Sequence, residues 1–179
     1  MKKLCWILLV LFLVGCSQPA ESDVVLPPTR VGKTTARAEL ADRYDMDSAV
    51  GDSDMIAYVR IGNWVEEDDH STYYEAVVVA QYKGESVDNI IIKQDGNSEC
   101  TIKGYELFTH GDEMVLFLRK ASNRENTYWI TGSYTTIFDV QNGEIAVDRA
   151  GILKESIPGY TNSLEQLEKF IAEKVGNKS

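Results

Sequence analysis

The chain has 179 residues, 44% of them hydrophobic, and carries a formal net charge of -10 at pH 7. An acidic balance of this size opposes phosphate backbones and anionic lipid surfaces, which argues against nucleic acid as a partner. No internal repeat or low-complexity block interrupts it, so the solenoid and compositionally disordered classes do not apply.

Met1-Lys2-Lys3 is a short basic start, and Leu4 to Val14 is an almost unbroken apolar run. Such a run is too short to cross a bilayer core of roughly 30 Å as a stable helix, so it reads as the apolar region of an export signal. It ends in Leu13-Val14-Gly15-Cys16, which resembles the bacterial lipobox. The resemblance implies cleavage before Cys16 and a diacylglycerol on its thiol, giving a lipid-anchored protein on the extracytoplasmic face of the cell membrane. Two acyl chains suffice for stable anchoring where one would be marginal. Losing Lys2 and Lys3 with residues 1–15 takes the net charge from -10 to about -12, so the domain should stand off the membrane. Of the three cysteines, Cys5 leaves with the signal and Cys16 is acylated, so Cys100 remains alone, either reactive or buried.

Residues 16–45 contain Pro19, Pro27 and Pro28 and lack a sustained apolar period, so they read as a tether. Within them Val24-Val25-Leu26 could add an edge strand or pack locally. Residues 46–179 read as one domain with a single core. Asp47 to Val50 suggests a helical turn. Met55 to Val65 follows as a strand with Met55, Ala57, Val59 and Ile61 on one face. The polar stretch Glu66 to Ser71 turns the chain into a long central strand, Thr72 to Gly84. There Tyr74, Ala76, Val78, Ala80 and Tyr82 share the core face. Asn89 to Gln94 forms a third strand, and Asp95 to Asp112 a long irregular loop. Glu113 to Arg119 is a fourth strand, apolar on both faces. Tyr128 to Thr131 and Thr135 to Val140 follow, and Asn142-Gly143 makes a tight hairpin turn into Ile145 to Val147. Finally the period changes: Ser163 and Gln166 suggest a capping box. Leu164, Leu167, Ile171 and Val175 then share a helical face, and Gly176 stops the helix.

Several short strands, a long third-to-fourth loop and a terminal helix predict a mainly β fold: a small closed OB-like β-barrel with a C-terminal α-helix. The order of segments carries a further likeness. Asp52-Ser-Asp-Met-Ile-Ala-Tyr-Val leads to a long strand ending in Tyr82-Lys83-Gly84. Then come Asn89-Ile-Ile-Ile-Lys, Leu107-Phe-Thr-His-Gly-Asp-Glu-Met-Val-Leu-Phe-Leu118, and Tyr128-Trp-Ile-Thr-Gly-Ser-Tyr134. This resembles bacterial exported domains related to the netrin and tissue-inhibitor-of-metalloproteinases module, across about Asp47 to Ile145. The resemblance implies an OB-like fold. It does not bring the inhibitory chemistry of the animal proteins, which needs a free N-terminal cysteine where this chain has an acylated Cys16. The animal disulfides are absent as well, and a fold alone does not give a function.

Catalysis by thiol would have to use Cys100 with His70 or His110. No Gly-x-Ser-x-Gly elbow and no glycine-rich phosphate loop occurs, so no catalytic set and no cofactor is assigned. The acidic run Glu66 to Asp69 lacks the alternation of a calcium loop, and zinc would require His70, His110 and Cys100 to converge, so no metal is assigned. Tyr58, Trp64, Tyr73, Tyr82, Tyr128, Trp129 and Tyr134 could stack ligands, but the charge opposes nucleic acid. The expectation is therefore a non-catalytic binding module at the cell envelope, with a protein or glycan partner. The alternative is an envelope enzyme or metal-dependent protein using Cys100 and His70 or His110. The expected recognition surface is the hairpin tip Trp64 to Tyr74 with the loop Ser98 to His110, carrying Trp64, His70, Tyr73, Tyr105, Phe108 and His110.

Overall fold

The computed structural model describes residues 24–26, 34–36, 44–102, 105–148 and 151–176. Cys16 and the apolar run before it lie outside the described residues. The strands are β1 (Thr34–Ala36), β2 (Met55–Glu67), β3 (Ser71–Lys83), β4 (Asn89–Asp95), β5 (Cys100–Ile102), β6 (Glu113–Lys120), β7 (Thr127–Ile130), β8 (Ile137–Gln141) and β9 (Glu144–Asp148). The helices are α1 (Met46–Asp52), α2 (Ile152–Ser156) and α3 (Leu164–Gly176), with a 3-10 turn at Ser133–Thr136.

The order β2-β3-β4-β7-β6 closes back from β6 onto β2, giving a five-stranded OB-like barrel. Neighbours in the barrel are antiparallel except β4 and β7. The β8–β9 hairpin continues from β6 outside the closure. Alternation sorts the side chains into two cores. Met55, Ala57, Val59 and Ile61 point inward to meet Tyr74, Ala76, Ile92, Leu116 and Leu118. The opposite faces of β2 and β6 send Ile56, Val115 and Phe117 outward, where Phe138, Leu153, Leu167 and Ile171 cover them. This is why β6 is apolar on both faces. The helix α3 therefore packs on the outer wall, with Leu167 and Ile171 fully buried.

Local chemistry sets the boundaries. Asp45 caps α1 by accepting from the Ser48 amide at 2.7 Å. At the other end of α1, Lys83 Nζ donates to the carbonyls of Val50 at 2.7 Å and Ser53 at 2.5 Å, where a cation suits the helix dipole. Ser163 Oγ accepts from the Gln166 amide at 3.4 Å, but Gln166 Oε1 takes the Thr161 amide at 2.8 Å, so the expected box closes upstream of Ser163. Asn142 and Gly143 both have positive φ, 53° and 77°, as a tight hairpin turn requires.

The central strand departs from the expected alternation. Val59 faces Val78 and Tyr58 faces Ala80, so Val79 is an extra residue in β3. Beyond this bulge the parity reverses, and Gln81 rather than Tyr82 stands opposite Ala57. Tyr82 packs with the outer core, and its hydroxyl donates to Glu168 Oε1 of α3 at 2.6 Å. Three further elements have no counterpart in the sequence reading: α2, and the parallel pair β1–β5, which joins the expected tether to the long loop. The expected strand from Thr135 begins as the 3-10 turn.

Gly84 has φ 99°, and a Cβ there would sit 2.6 Å from the Asp54 carbonyl oxygen. Gly84→Ala should lower stability by more than about 1 kcal/mol, read as a shift in the urea midpoint. Gly143→Ala, where a Cβ meets nothing within 4 Å, should shift it less.

Candidate functional site

The hairpin tip between β2 and β3 and the long loop after β4 meet at one end of the barrel, held by hydrogen bonds. Ser98 donates from its amide and hydroxyl to Glu67, at 3.1 and 2.7 Å. Asn97 Nδ2 donates to the Asp68 carbonyl at 2.9 Å, and the Gly96 amide to the His70 carbonyl at 2.7 Å. Asn97 Oδ1 accepts the amides of Glu99 and Cys100, folding the loop back on itself. The tip and loop thus satisfy one another's polar groups.

Inside, the loop seals the barrel, and this corrects part of the expected surface. Tyr105 and Phe108 are 1% and 2% exposed, and Phe108 packs 5.8 Å from the Tyr74 ring. Gln94, fully buried, anchors them: its Nε2 donates to the Glu106 carbonyl at 2.8 Å and its Oε1 accepts the Phe108 amide at 2.9 Å. No ligand reaches these two rings. Tyr73 is also buried, with Arg124 4.6 Å and Lys93 5.6 Å from its ring centroid and its hydroxyl bound to Asp68. Trp64 is half-buried against the inner core, whereas His70 and His110 are exposed. Cys100 is half-buried in β5. Among the described residues no three His, Cys, Asp or Glu side chains form a group that could hold a metal, so His70, His110 and Cys100 do not supply a zinc site.

The outward face of the barrel offers a different arrangement. Register places Tyr73 opposite Lys93, Lys93 opposite Trp129, and Trp129 opposite Arg119, a row that alternates ring and cation across β3, β4, β7 and β6. Adjacent members are one strand spacing apart, about 4.8 Å. Arg119 lies over the Trp129 ring at 5.5 Å and donates from Nε to the Asp52 carbonyl. Trp129 is 42% exposed, a large area for an aromatic side chain. Beside the row runs a groove of about 370 Å³, floored by Val77 and Ile91 and rimmed by Glu75, Asn89 and Asn126. Gly62 borders it because a Cβ there would press within 3.2 Å of the Glu75 carbonyl. Sequence reasoning named Trp129 as an aromatic but missed Lys93 and Arg119, because their alignment exists only through strand register.

A larger groove, about 550 Å³, lies between Gly111–Glu113 and Asp139–Asn142. Its Glu113 is held by Arg60 at 2.7 Å and by the Tyr58 hydroxyl. Burial and that carboxylate push the Tyr58 hydroxyl up to about 12. No helix among the described residues is long and apolar enough to cross a membrane. No protein-family model matches the chain, and no curated protein matches it either.

Two predictions test the lock between tip and loop. Asn97→Ala should cost about 2 kcal/mol through the lost buried hydrogen bonds, with faster amide exchange and faster alkylation at Cys100. For Asp68, burial alone would raise the pKa, but the His70 amide, the Tyr73 hydroxyl and Lys93 outweigh it and lower the carboxyl below 3.8. A depressed carboxyl contributes stability above its unfolded value and loses it as pH falls through the folded one. Amide protection at Gly96 should therefore hold at neutral pH and decline as pH drops below about 4, and Asp68→Asn should abolish that dependence.

Proposed function

We propose that this chain is a lipid-anchored protein of the bacterial cell envelope whose barrel is a non-catalytic binding module. The observation that carries the binding reading is the row Tyr73–Lys93–Trp129–Arg119 with its adjoining apolar groove. An exposed indole flanked by cations on both neighbouring strands, beside a trough with an apolar floor, suits recognition of a protein or glycan surface. OB-type barrels use the outward face of their second and third strands for ligands, and here those strands are β3 and β4. The anchor reading rests on the basic start, the apolar run and Leu13-Val14-Gly15-Cys16. Kinship with the netrin-related exported domains belongs to the same proposal, supported by the five-stranded order.

Two measurements test the two halves separately. Mass spectrometry of the chain purified from membranes should find Cys16 as the first residue, carrying diacylglycerol; an unmodified chain starting elsewhere refutes the anchor. In-cell cross-linking should capture a specific envelope component, protein or glycan. Trp129→Ala should reduce that capture at least tenfold while leaving the unfolding midpoint within about 0.5 kcal/mol of the parent. Capture that is indifferent to Trp129 and to Lys93→Glu removes this face from the function.

A further inference from the structure

We propose that the row through Trp129 is a subsite for a carboxylate-bearing sugar unit of a glycan. The pyranose ring stacks on the indole, while Arg119 and Lys93, one strand to either side, take its carboxylate. The proposal rests on the reading of the barrel as a binding module and names the class of ligand.

Strand pairing separates a sugar from an added peptide strand. Strand β4 is bonded to β3 and β7, and β7 is bonded to β4 and β6. The backbone of Lys93 and Trp129 is therefore committed to neighbours on both sides, which closes this face to strand addition. Recognition here works through side chains. Arg119 lies over the indole at 5.5 Å, and Trp129 is nonetheless 42% exposed. The negative face of an indole attracts the polarised C–H groups on a pyranose face. Ile91 stands two residues from Lys93 on the same side of β4, roughly 7 Å along the strand, so the groove continues the row. Its rim holds the side-chain amides of Asn89 and Asn126. An amide both donates and accepts, as sugar hydroxyls require.

Charge narrows the class further. In a chain of net charge -10, the row sets a cation about 4.8 Å to each side of Trp129. The Lys93 side chain is 36% exposed and its ion pair with Asp68 is long, at 3.9 Å. Arg119 gives its Nε hydrogen bond to a neutral group, the Asp52 carbonyl. Arg124, by contrast, is tied to Glu66 and lies over Tyr73. Among the described residues, then, neither cation beside the indole has a carboxylate at hydrogen-bonding distance. A planar guanidinium matches a carboxylate in shape as well as charge. A carboxylate set directly on a pyranose lies at the rim of the stacked ring, within reach of a side chain one strand away. A neutral sugar would use neither charge, and a phosphate on an ester arm stands further out.

The test applies the full-length chain in detergent to immobilised oligosaccharides ending in uronate, sialate or muramate, to their methyl esters, and to phosphate-bearing glycans. At least one of the acids should bind, its ester roughly tenfold more weakly, and the acid's affinity should fall as salt rises. Arg119→Gln and Lys93→Gln should each bring the acid towards its ester and leave the ester unchanged, whereas Trp129→Ala should lose both. The ratio of acid to ester on the parent chain decides even where a variant fails to fold. Equal binding of acid and ester, binding confined to phosphate-bearing glycans, or an array left blank overturns the inference. If in-cell capture still depends on Trp129 in those cases, the binding module stands with another class of ligand; capture indifferent to Trp129 overturns both.

Discussion

Strand β6 has two edges, and three strands use them. One edge runs along β2 from Glu113 to Leu118 and closes the barrel. The other is divided: β8 takes Met114 to Leu116, and β7 takes Leu118 to Lys120. At that division the sheet forks, one branch curling into the barrel wall and the other leaving as the β8–β9 hairpin. The same strand also parts the two cores, with Met114, Leu116 and Leu118 inside and Val115 and Phe117 outside. Phe117 meets Phe138 edge-on at 5.8 Å, which ties the departing hairpin back to the wall. A small β domain thereby acquires a second apolar layer and a reason for its terminal helices.

This arrangement also leaves one face of the barrel without helices. The outer core covers the walls of β2, β6 and β8 and reaches Tyr82 at the end of β3, while among the described residues the outward sides of β4, β7 and the first part of β3 carry no such layer. The proposed recognition surface lies on that open face, away from the barrel end. Ser98 donates to Glu67, Asn97 donates to the Asp68 carbonyl, and Gln94 fixes the loop from beneath. The polar groups of the tip and loop hold the two segments together.

Much of this was legible from the residues. Alternation in Met55 to Ile61 placed the inner face of β2, Asn142-Gly143 fixed the last hairpin, and the period of Leu164, Leu167 and Ile171 gave α3 its buried side. What was not legible depends on distant partners. Nothing local marks Val79 as surplus in a run of three valines, yet its insertion reverses the parity of Ala80 and Gln81, until a second shift at Tyr82 restores it at Lys83. Tyr105 and Phe108 sit in a segment without any period, and Gln94 holds that segment in place through the Glu106 carbonyl and the Phe108 amide. Lys93 and Arg119 become neighbours of Trp129 through register, which no single strand encodes.

The Trp64 amide donates to the Val25 carbonyl at 3.0 Å, which has a geometric consequence under the proposed anchor at Cys16. Counted along the chain, Cys16 is nine residues from Val25 but 18 from Thr34, where β1 joins β5. Nine residues reach at most roughly 30 Å in any conformation, against roughly 60 Å for 18. Under the proposed anchor, seating Val25 therefore moors the barrel on a short line attached near its tip, and that end faces the bilayer. Unseating it lengthens the line about twofold and widens the range of directions the barrel can take. One hydrogen-bonded residue would then govern both how far the module reaches and which way it looks.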